Sequence, residues 1–480
     1  MRVVAIFAVA LTLLLCTSTT EEARAERATQ EEMELVCQNW LSYMVYQRGT
    51  WAGDTHPQIV DVDEIVEKDT LLAHCFSISP RGIVVVPVLK ELPPIKAYSE
   101  EYGLDVDQTA GFPQLLREVL LQRIRLYVKI YGSLDALQPP TGDVLLGRGH
   151  KAEWKRFLKS QEKFRSELKG GIFPPLTEEG PLLTTSWHQR APYNNFCPIG
   201  YEDDTCVVGC VATATAQIMR YWNWPPSGTG SRSYWWYGDD SCDGPVGGGT
   251  LNATFSDPYD WQNMPDSCDL GCSQEQEDAL AELCYEVGVA FEMDYGVCGS
   301  GTWTSMALTV FPTYFKYHST IDREDRDEHT AAEWFSIIQT EINNGRPIQY
   351  RIRSHSIVCD GWRDTGGQNQ YHMNYGWGGS FTTWFSLDSL YCYWVLPDSL
   401  CPPMEEYLIR NIMPEMRGDT NGDGTIDLGD VLYLVSYLYK DGLAPDPLLI
   451  GDVDCDGLID LGDVLFLVNY LYKGGPLPSC

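Results

Sequence analysis

Apolar residues recur at helical spacing between residues 209 and 219. Val211, Ala214 and Ile218 lie three or four positions apart, and no charged residue interrupts the segment. A tryptophan followed by two prolines ends the pattern a few residues later. The pattern therefore predicts a buried helix, and it places Cys210 in the first turn of that helix.

The rest of the chain alternates between helical and strand-like patterns. In the central region, helical spacing comes first and short runs of apolar residues follow, which predicts an α+β fold. The predicted helices cover residues 31–48, 113–134 and 153–168, and the predicted strands lie within 73–88, 347–360 and 370–375.

The length of 480 residues exceeds what one core supports, so two to four domains are expected. Arg2, the apolar run 3–15 and the small residues around Ala25 form the pattern of a secretory signal that is cleaved after residue 25. No later stretch is long and apolar enough to span a bilayer. The Gly/Pro-rich segment 170–181 is typical of an exposed linker.

The formal net charge of −33 argues against nucleic acid or an anionic membrane surface as a partner. The sixteen cysteines of an exported chain indicate an oxidising compartment. Without Cys16 and Cys210 their number is even, which permits full pairing. Candidate disulfides join Cys197 to Cys206, Cys392 to Cys401, and Cys284 to Cys268 or Cys272. Zinc is the weaker alternative for the last three, because no second ligand pair follows them.

The predicted position of Cys210 suits a nucleophile. A thiolate at a helix N-terminus is stabilised by the helix dipole and by backbone N–H groups without helical partners, so the thiol pKa falls. Such a thiolate can carry out acyl transfer. The alternative is a structural half-cystine, the common role of cysteines in secreted proteins.

A family resemblance favours the nucleophile. The segment 209–217, with Tyr221 and Pro225 after it, resembles the nucleophile segment of the streptopain-type cysteine peptidases. Similarity to this family extends over most of residues 184–414. It implies a papain-like fold with a helical lobe around the nucleophile and a sheet around the base. It also implies peptide-bond hydrolysis, with a preference for an apolar side chain one residue before the scissile residue.

The resemblance assigns the catalytic base to His355. This histidine precedes an apolar run that ends in Asp360-Gly361, as in the family, although Arg353-Ser354 stands where the family usually has two glycines. The alternative base is His372. Strand alternation places it on the same face as Asn374, so we expect His372 to be a structural neighbour.

The resemblance also supplies groups around the base and the nucleophile. It implies that Asn374 orients the imidazole and that Trp377 shields this contact from water, with Tyr375 in place of the family's usual Trp. Gln189, which precedes a Pro-Tyr-Asn element, would join the backbone N–H of Cys210 in an oxyanion hole.

The region before the linker carries no catalytic pattern. Its hairpin around Arg81-Gly82 and the segment 95–98 resemble the propeptide of the same family, and an independent α+β binding domain is the alternative. The predicted organisation is a signal peptide (1–25), an inhibitory propeptide (26–178), a peptidase domain (179–415) and a C-terminal unit (416–480).

The last 64 residues contain two copies of one acidic unit, 33 residues apart, with eleven Asp against three basic residues. Each copy is a 12-residue loop with oxygen donors at positions 1, 3, 5, 7, 9 and 12, which suits Ca²⁺, and an apolar helical segment follows it. The predicted ligands are Asp419, Asn421, Asp423, Thr425, Asp427 and Asp430 in the first loop and Asp452, Asp454, Asp456, Leu458 (through its carbonyl), Asp460 and Asp463 in the second.

This unit differs from an EF-hand, because it lacks a helix before each loop and has Asp at position 12. Paired loop–helix units of this kind resemble a type I dockerin, which implies two calcium ions and a cohesin module as partner. An acidic solvated tail is the alternative, and the matched loops argue against it. Leu428-Gly429 and Leu461-Gly462 stand where dockerins commonly present Ser or Thr, so a less polar contact is expected.

These features predict a secreted cysteine endopeptidase that is made as a zymogen and needs no cofactor for catalysis. Its substrates would be proteins or peptides, and its own propeptide would inhibit it. The dockerin would attach it to a cohesin-bearing scaffold or cell-surface protein. The alternatives are a papain-fold acyl transferase of the transglutaminase kind, in which an amine replaces water, and a catalytically decayed scaffold module.

Overall fold

The computed structural model describes residues 26–108, 149–173, 175–242, 246–352, 355–365, 369–379, 382–386, 406–423, 425–445, 448–454 and 456–478, with scattered positions between 113 and 125. The predicted signal segment, most of the predicted helix 113–134 and Arg353-Ser354 lie outside these residues. Within the residues that the structure describes, no helix combines the length and the apolarity that crossing a bilayer requires.

The N-terminal region packs one long helix against a meander of strands. Its first helix is the predicted one, and Thr29 and Glu32 begin it with a capping box. Asn39 joins this helix to the end of the helix over residues 149–157. Its Nδ2 donates to the carbonyls of Phe157 and Lys159, each at 2.7 Å. The elements are α1 (Gln30–Arg48), β1 (Gln58–Glu67), β2 (Thr70–Ser79), β3 (Ile83–Pro87), β4 (Ala97–Ser99), α2 (Gly149–Phe157) and α3 (Gln161–Lys169).

The predicted helix after residue 209 is confirmed, and it runs through the core of a helical lobe. It begins at Cys210 and ends where Asn223 takes a left-handed conformation. Every residue from 211 to 219 is buried. The lobe contains α4 (Cys210–Trp222), β6 (Ser231–Trp236), β7 (Gly249–Thr254), α5 (Gln274–Ala290) and α6 (Ala307–Tyr314).

A sheet lies against α4 and continues into the N-terminal region. Beyond β1-β2-β3-β4, the strands of this sheet follow in the order 383–385, 369–374, 355–364, 348–352, 407–410 and 322–325. The junction is the pairing of Ala97 with Phe385 and of Tyr98 with Trp384. The remaining elements are β8 (Asp322–Asp325), α7 (Ala331–Asn343), β9 (Ile348–Ile352), β10 (His355–Asp364), β11 (Asn369–Asn374), β12 (Thr383–Phe385) and β13 (Tyr407–Arg410). The predicted α+β fold is confirmed.

The predicted linker has exposed residues along most of its length, and its second part contains a short strand. Residues 170–172 are exposed, but β5 (Thr177–Glu179) pairs with β10. Glu178 accepts a hydrogen bond from Arg363 Nε at 2.6 Å. Thr177 and Glu179 on β5 are exposed, so the predicted exposure is not contradicted; the composition missed only the strand that pairs with β10.

The C-terminal unit contains two loop–helix copies, as predicted. Its helices are α8 (Leu428–Tyr439) and α9 (Leu461–Lys473). Asp427 and Asp460 begin them, and each side chain accepts a hydrogen bond from a backbone N–H in the first turn of its helix. A small apolar core joins the copies; its buried members are Val431, Leu434, Val453, Val464 and Leu467.

The predicted cysteine pairing is corrected by the structure. Among the described residues, disulfides join Cys242 to Cys298 and Cys268 to Cys272. Cys197, Cys206 and Cys284 are free and buried, so the pairs proposed for them are wrong. A disulfide requires a specific Cα separation and direction of the two Cβ atoms, and closeness in sequence does not supply either. Cys392, Cys401, Cys455 and Cys480 lie outside the described residues.

Candidate active site

Cys210 is the first residue of α4 and follows a glycine that the local geometry requires. Gly209 has a φ of +89°, which residues with a Cβ rarely adopt. A Cβ at this position would also lie 2.8 Å from the Met293 side chain. No side chain caps this helix N-terminus. The N–H groups of its first turn are therefore placed to stabilise negative charge that develops near Cys210.

The structure brings Cys210 next to the first residues of β10. The backbone N–H of Ser356, the neighbour of His355 in the chain, lowers the pKa of the Cys210 thiol. Gln349 on β9 strengthens this junction, because its Nε2 lies 3.3 Å from the Val211 carbonyl and 3.2 Å from Ser356 Oγ. The nucleophile helix and the strand of the candidate base therefore meet at this point.

Burial keeps both reactive groups in their neutral forms. It raises the pKa of the Cys210 thiol, which the Ser356 N–H and the positive charge of Arg351 lower. Burial lowers the pKa of His355 to about 4; the hydrogen bond with Tyr375 raises it, and Arg351 lowers it further. The expected fall of the thiol pKa is therefore wrong for the chain in this form. Near neutral pH it contains a thiol and a neutral imidazole, because desolvation outweighs the helix N-terminus.

His355 lies between a backbone carbonyl and an aromatic ring. Its Nε2 is 3.0 Å from the carbonyl oxygen of Tyr375. The ring of Trp377 stacks on the imidazole with 4.4 Å between the ring centroids and 20° between the planes. The ring of Trp377 therefore covers one face of the imidazole.

Asn374 reaches the base only through the turn that follows it. Its Nδ2 donates to the Thr185 carbonyl at 2.8 Å, and its Oδ1 accepts from the Gly376 N–H at 3.0 Å. The imidazole bonds to the carbonyl of Tyr375 instead. Motif comparison missed Tyr375 because a backbone carbonyl is present at every position and leaves no trace in the pattern of residue types.

Gln189 lies beside the segment that leads into α4. Its carbonyl accepts a hydrogen bond from the Val208 N–H at 3.0 Å, two residues before Cys210. The side chain of Gln189 is partly exposed. The structure therefore brings Gln189, Cys210 and His355 into one region.

His372 has a structural environment. Its Nδ1 lies 2.6 Å from Asp360 Oδ1, and both side chains are largely buried. The second carboxylate oxygen of Asp360 accepts from the Leu183 N–H at 3.0 Å. His372 therefore helps to hold the chain segment beside β10.

Cys210 differs from the other free thiols in its exposure. The described free cysteines other than Cys210 are all buried. Burial raises the pKa of Cys75, Cys206 and Cys284 to about 12, so these thiols remain protonated and out of reach of solutes. Cys210 is only partly buried.

The C-terminal loops gather oxygen ligands as calcium requires. In the second loop, one carboxylate oxygen from each of Asp452, Asp454 and Asp463 lies within 4.8 Å of the others. In the first loop, Asp430 accepts hydrogen bonds from the Asn421 and Asp427 N–H groups, which turns the loop back on itself. Hard oxygen donors in this arrangement fit Ca²⁺.

Comparisons with known proteins agree with this geometry. Residues 187–385 match the Peptidase C10 family, and residues 417–472 match the Dockerin type I domain.

Among curated proteins, the chain is 31% identical over 228 residues to the thiol protease/hemagglutinin PrtT of Porphyromonas gingivalis. This similarity covers 45% of the chain but only 24% of that relative. The chain is also 26% identical over 336 residues to streptopain of Streptococcus pyogenes, which covers 66% of this chain and 74% of streptopain.

Among solved structures, a fragment of Prevotella intermedia prointerpain A has the same fold, with a TM-score of 0.51 and 22% identity. The similarity covers 73% of this chain and 98% of the fragment. The chain is therefore similar to the streptopain-like Peptidase C10 family over residues 187–385 and to the type I dockerin domain over residues 417–472.

Proposed function

We propose that this protein is a cysteine endopeptidase in which Cys210 is the nucleophile and His355 is the general base. The observation that carries the proposal is the junction of the helix that begins at Cys210 with the strand that begins at His355, which Gln349 holds together through the Val211 carbonyl and Ser356 Oγ. Because Ser356 directly follows His355, and its N–H lowers the pKa of the Cys210 thiol, this junction supports a thiol and an imidazole that act together. A thiol, an imidazole and free backbone donors are the groups that acyl transfer through sulfur requires.

In the proposed reaction, His355 takes the proton of the Cys210 thiol and the thiolate attacks the peptide carbonyl. The Cys210 N–H and the Gln189 side chain stabilise the oxyanion. The imidazolium then protonates the leaving amine, which leaves a thioester on Cys210. Water, deprotonated by His355, hydrolyses the thioester and regenerates the thiol.

The orientation of the base is assigned to Tyr375 rather than to Asn374. A carbonyl that accepts from one ring nitrogen leaves the other nitrogen as the proton acceptor. The stacked ring of Trp377 holds the plane of the imidazole. Asn374 contributes by shaping the turn at Gly376, to which it is hydrogen bonded.

The protein is proposed to be made as a zymogen, with residues 26–178 as propeptide and 179–415 as peptidase domain. The pairing of β4 with β12 attaches the N-terminal region to the sheet of the active site. Tyr102 also lies against the loop after Trp377, since a Cβ on Gly379 would be 2.5 Å from its hydroxyl. The neutral thiol and imidazole of the full chain agree with a latent form.

Residues 416–480 are proposed to attach the enzyme to a cohesin-bearing partner outside the cell when two calcium ions are bound. Leu428 and Leu461, at equivalent loop positions, are both half-exposed. Their exposure supports a contact that is less polar than one made through Ser or Thr.

The test of the peptidase is a thiol-directed peptidyl probe on the cleaved protein, followed by peptide sequencing. The probe should modify Cys210 alone, and Cys210→Ala should lose peptide hydrolysis. Product analysis with an added amine separates hydrolysis from acyl transfer. Substantial hydrolysis by Cys210→Ala, or labelling at another cysteine, would overturn the assignment.

A further inference from the structure

A fully buried glutamine connects three chain segments of the candidate active site. Gln217 lies on α4, two helical turns after Cys210, and it is completely buried. It is a polar residue in a helix whose other residues from 211 to 219 are mostly apolar. Burying an amide is unfavourable unless its donors and acceptors are satisfied, so its partners show what it holds in place.

One set of partners lies on the segment that carries Gln189. Gln217 Oε1 accepts a hydrogen bond from Thr185 Oγ1 at 3.0 Å and another from the Trp187 N–H at 3.3 Å. Trp187 is two residues before Gln189. Gln217 therefore fixes the position of residues 185–189, here called the oxyanion segment, relative to α4.

The other partner lies on the turn that carries the acceptor for His355. Gln217 and Asn374 face each other, with Asn374 Nδ2 at 3.2 Å from Gln217 Oε1 and Gln217 Nε2 at 3.4 Å from Asn374 Oδ1. Asn374 Oδ1 also accepts from the Gly376 N–H. Gly376 has a φ of +68°, and a Cβ there would lie 3.0 Å from Thr213 on α4. The turn between Asn374 and Trp377 thus rests directly on the nucleophile helix.

We propose that Gln217 is a positioning residue that couples the nucleophile helix to both the oxyanion segment and the turn that orients His355. This inference rests on the proposed peptidase function. Gln217 acts through Asn374 and Gly376 on the Tyr375 carbonyl, and through Trp187 on Gln189. It does not touch the reacting atoms.

The chemistry of the site requires an amide at this position. One oxygen must accept from Thr185, Trp187 and Asn374, and one nitrogen must donate to Asn374. The partners are all uncharged. An apolar residue of equal size would leave buried donors without acceptors, whereas a protonated carboxyl could both accept and donate as the amide does.

The experiment compares Gln217→Met and Gln217→Glu with the wild type. Each protein is made as the full chain and assayed after cleavage and removal of the propeptide. Gln370→Met is the matched control, because Gln370 is an equally buried amide on the strand that ends at Asn374. The measurements are kcat, KM, affinity for a peptide aldehyde, and the pH dependence of Cys210 alkylation by iodoacetamide.

Gln217→Met should lower kcat about ten- to hundredfold with little change in KM, because a misplaced catalytic group weakens the transition state more than the substrate. Aldehyde affinity should fall by a similar factor. The ratio of Gln217→Glu activity to wild-type activity should rise as pH falls, because the protonated carboxyl restores the lost donor. Gln370→Met should retain wild-type kcat.

The proposal is overturned if Gln217→Met folds and retains wild-type kcat, aldehyde affinity and alkylation profile. If that variant does not fold, a pH-independent activity ratio for Gln217→Glu overturns it. Absence of hydrolysis by the wild type would instead overturn the peptidase assignment. The alkylation profile distinguishes failure of the positioning role from failure of the peptidase assignment. Even if the protein does not hydrolyse peptides, Gln217→Met should still shift the apparent pKa of Cys210.

Discussion

Two histidines on neighbouring strands, His355 and His372, have surroundings that fit the different roles proposed for them. His355 has an uncharged backbone acceptor and a stacked tryptophan, so it can gain and lose a proton without losing a fixed ionic partner. His372 instead lies against the buried carboxylate of Asp360, with 2.6 Å between Nδ1 and Oδ1, so a close side-chain partner fixes its ring. A general base near neutral pH requires the first environment.

Replacing each histidine by alanine should therefore give different defects. His355→Ala should lower kcat by several orders of magnitude with little loss of stability. His372→Ala should keep the kcat of the folded fraction but destabilise the protein by about 3–5 kcal/mol, because Asp360 loses its buried partner. Thermal unfolding and kcat per labelled active site measure the two effects. Loss of kcat in folded His372→Ala would reassign the base.

Arg351 should set the pH range of activity. Its positive charge lowers the pKa of both Cys210 and His355. Removing that charge with Arg351→Gln raises both pKa values, so both limbs of the pH profile of kcat/KM should move to higher pH. Arg323→Gln is the control, since Arg323 is paired with Asp325 on β8. A profile that keeps its position in Arg351→Gln would contradict the expectation.

At this scale, residue types predicted some of the site and missed the rest. Cys210 and His355 were identified because their neighbours form a family pattern. Gln189 was identified in the same way, and the roles of all three residues remain predictions. Tyr375 was missed because it acts through its backbone. Gln217 was also missed, because a glutamine within an apolar helix becomes informative only when its buried partners are known.

At the scale of elements, the sheet connects the N-terminal region to the active site at two places. β4 pairs with β12, and β5 pairs with β10. The apolar patterns predicted most of these strands, but pairing across regions depends on chain contacts far apart in sequence. The short strand β5, with three polar residues, has no apolar pattern at all.

Cleavage in the exposed part of the linker should activate the enzyme while leaving β5 in place. A site-specific protease sequence at residues 170–172 should allow cleavage, since Ile172 is 68% exposed. Release of the N-terminal region should raise kcat/KM, because Tyr102 then no longer lies against the loop after Trp377. A chain with a scrambled recognition sequence is the control. Equal activity before and after cleavage and separation would contradict latency.

At the scale of the molecule, composition and repeats predicted the mixed fold and the acidic C-terminal unit. The disulfides could not be predicted in the same way. Cys242 and Cys298 are 56 residues apart and meet only because two loops pack together. The C-terminal unit has a small core and many carboxylates, so its stability depends on the ions that it binds.

Calcium should therefore stabilise this unit separately from the peptidase domain. In the full chain, thermal unfolding with a chelator should show an early transition that calcium shifts to higher temperature. The stabilisation is about 2.7 kcal/mol per site when calcium is at 100 times its Kd. Asp454→Asn should weaken the shift, whereas Asp441→Asn, an exposed residue outside both loops, should not. Identical melting with chelator and with calcium would contradict a metal-dependent fold.

The connection between the two domains is very short. The Glu415 N–H donates to the Lys316 carbonyl in the peptidase domain at 2.9 Å, and Arg417 Nη1 lies 3.1 Å from Asp452 in the dockerin. Only Met416 separates these anchors. An enzyme held in this way cannot sweep through the volume around its attachment point as a flexibly tethered one would. We expect this short connection to fix the direction of the cleft relative to any partner that the dockerin binds.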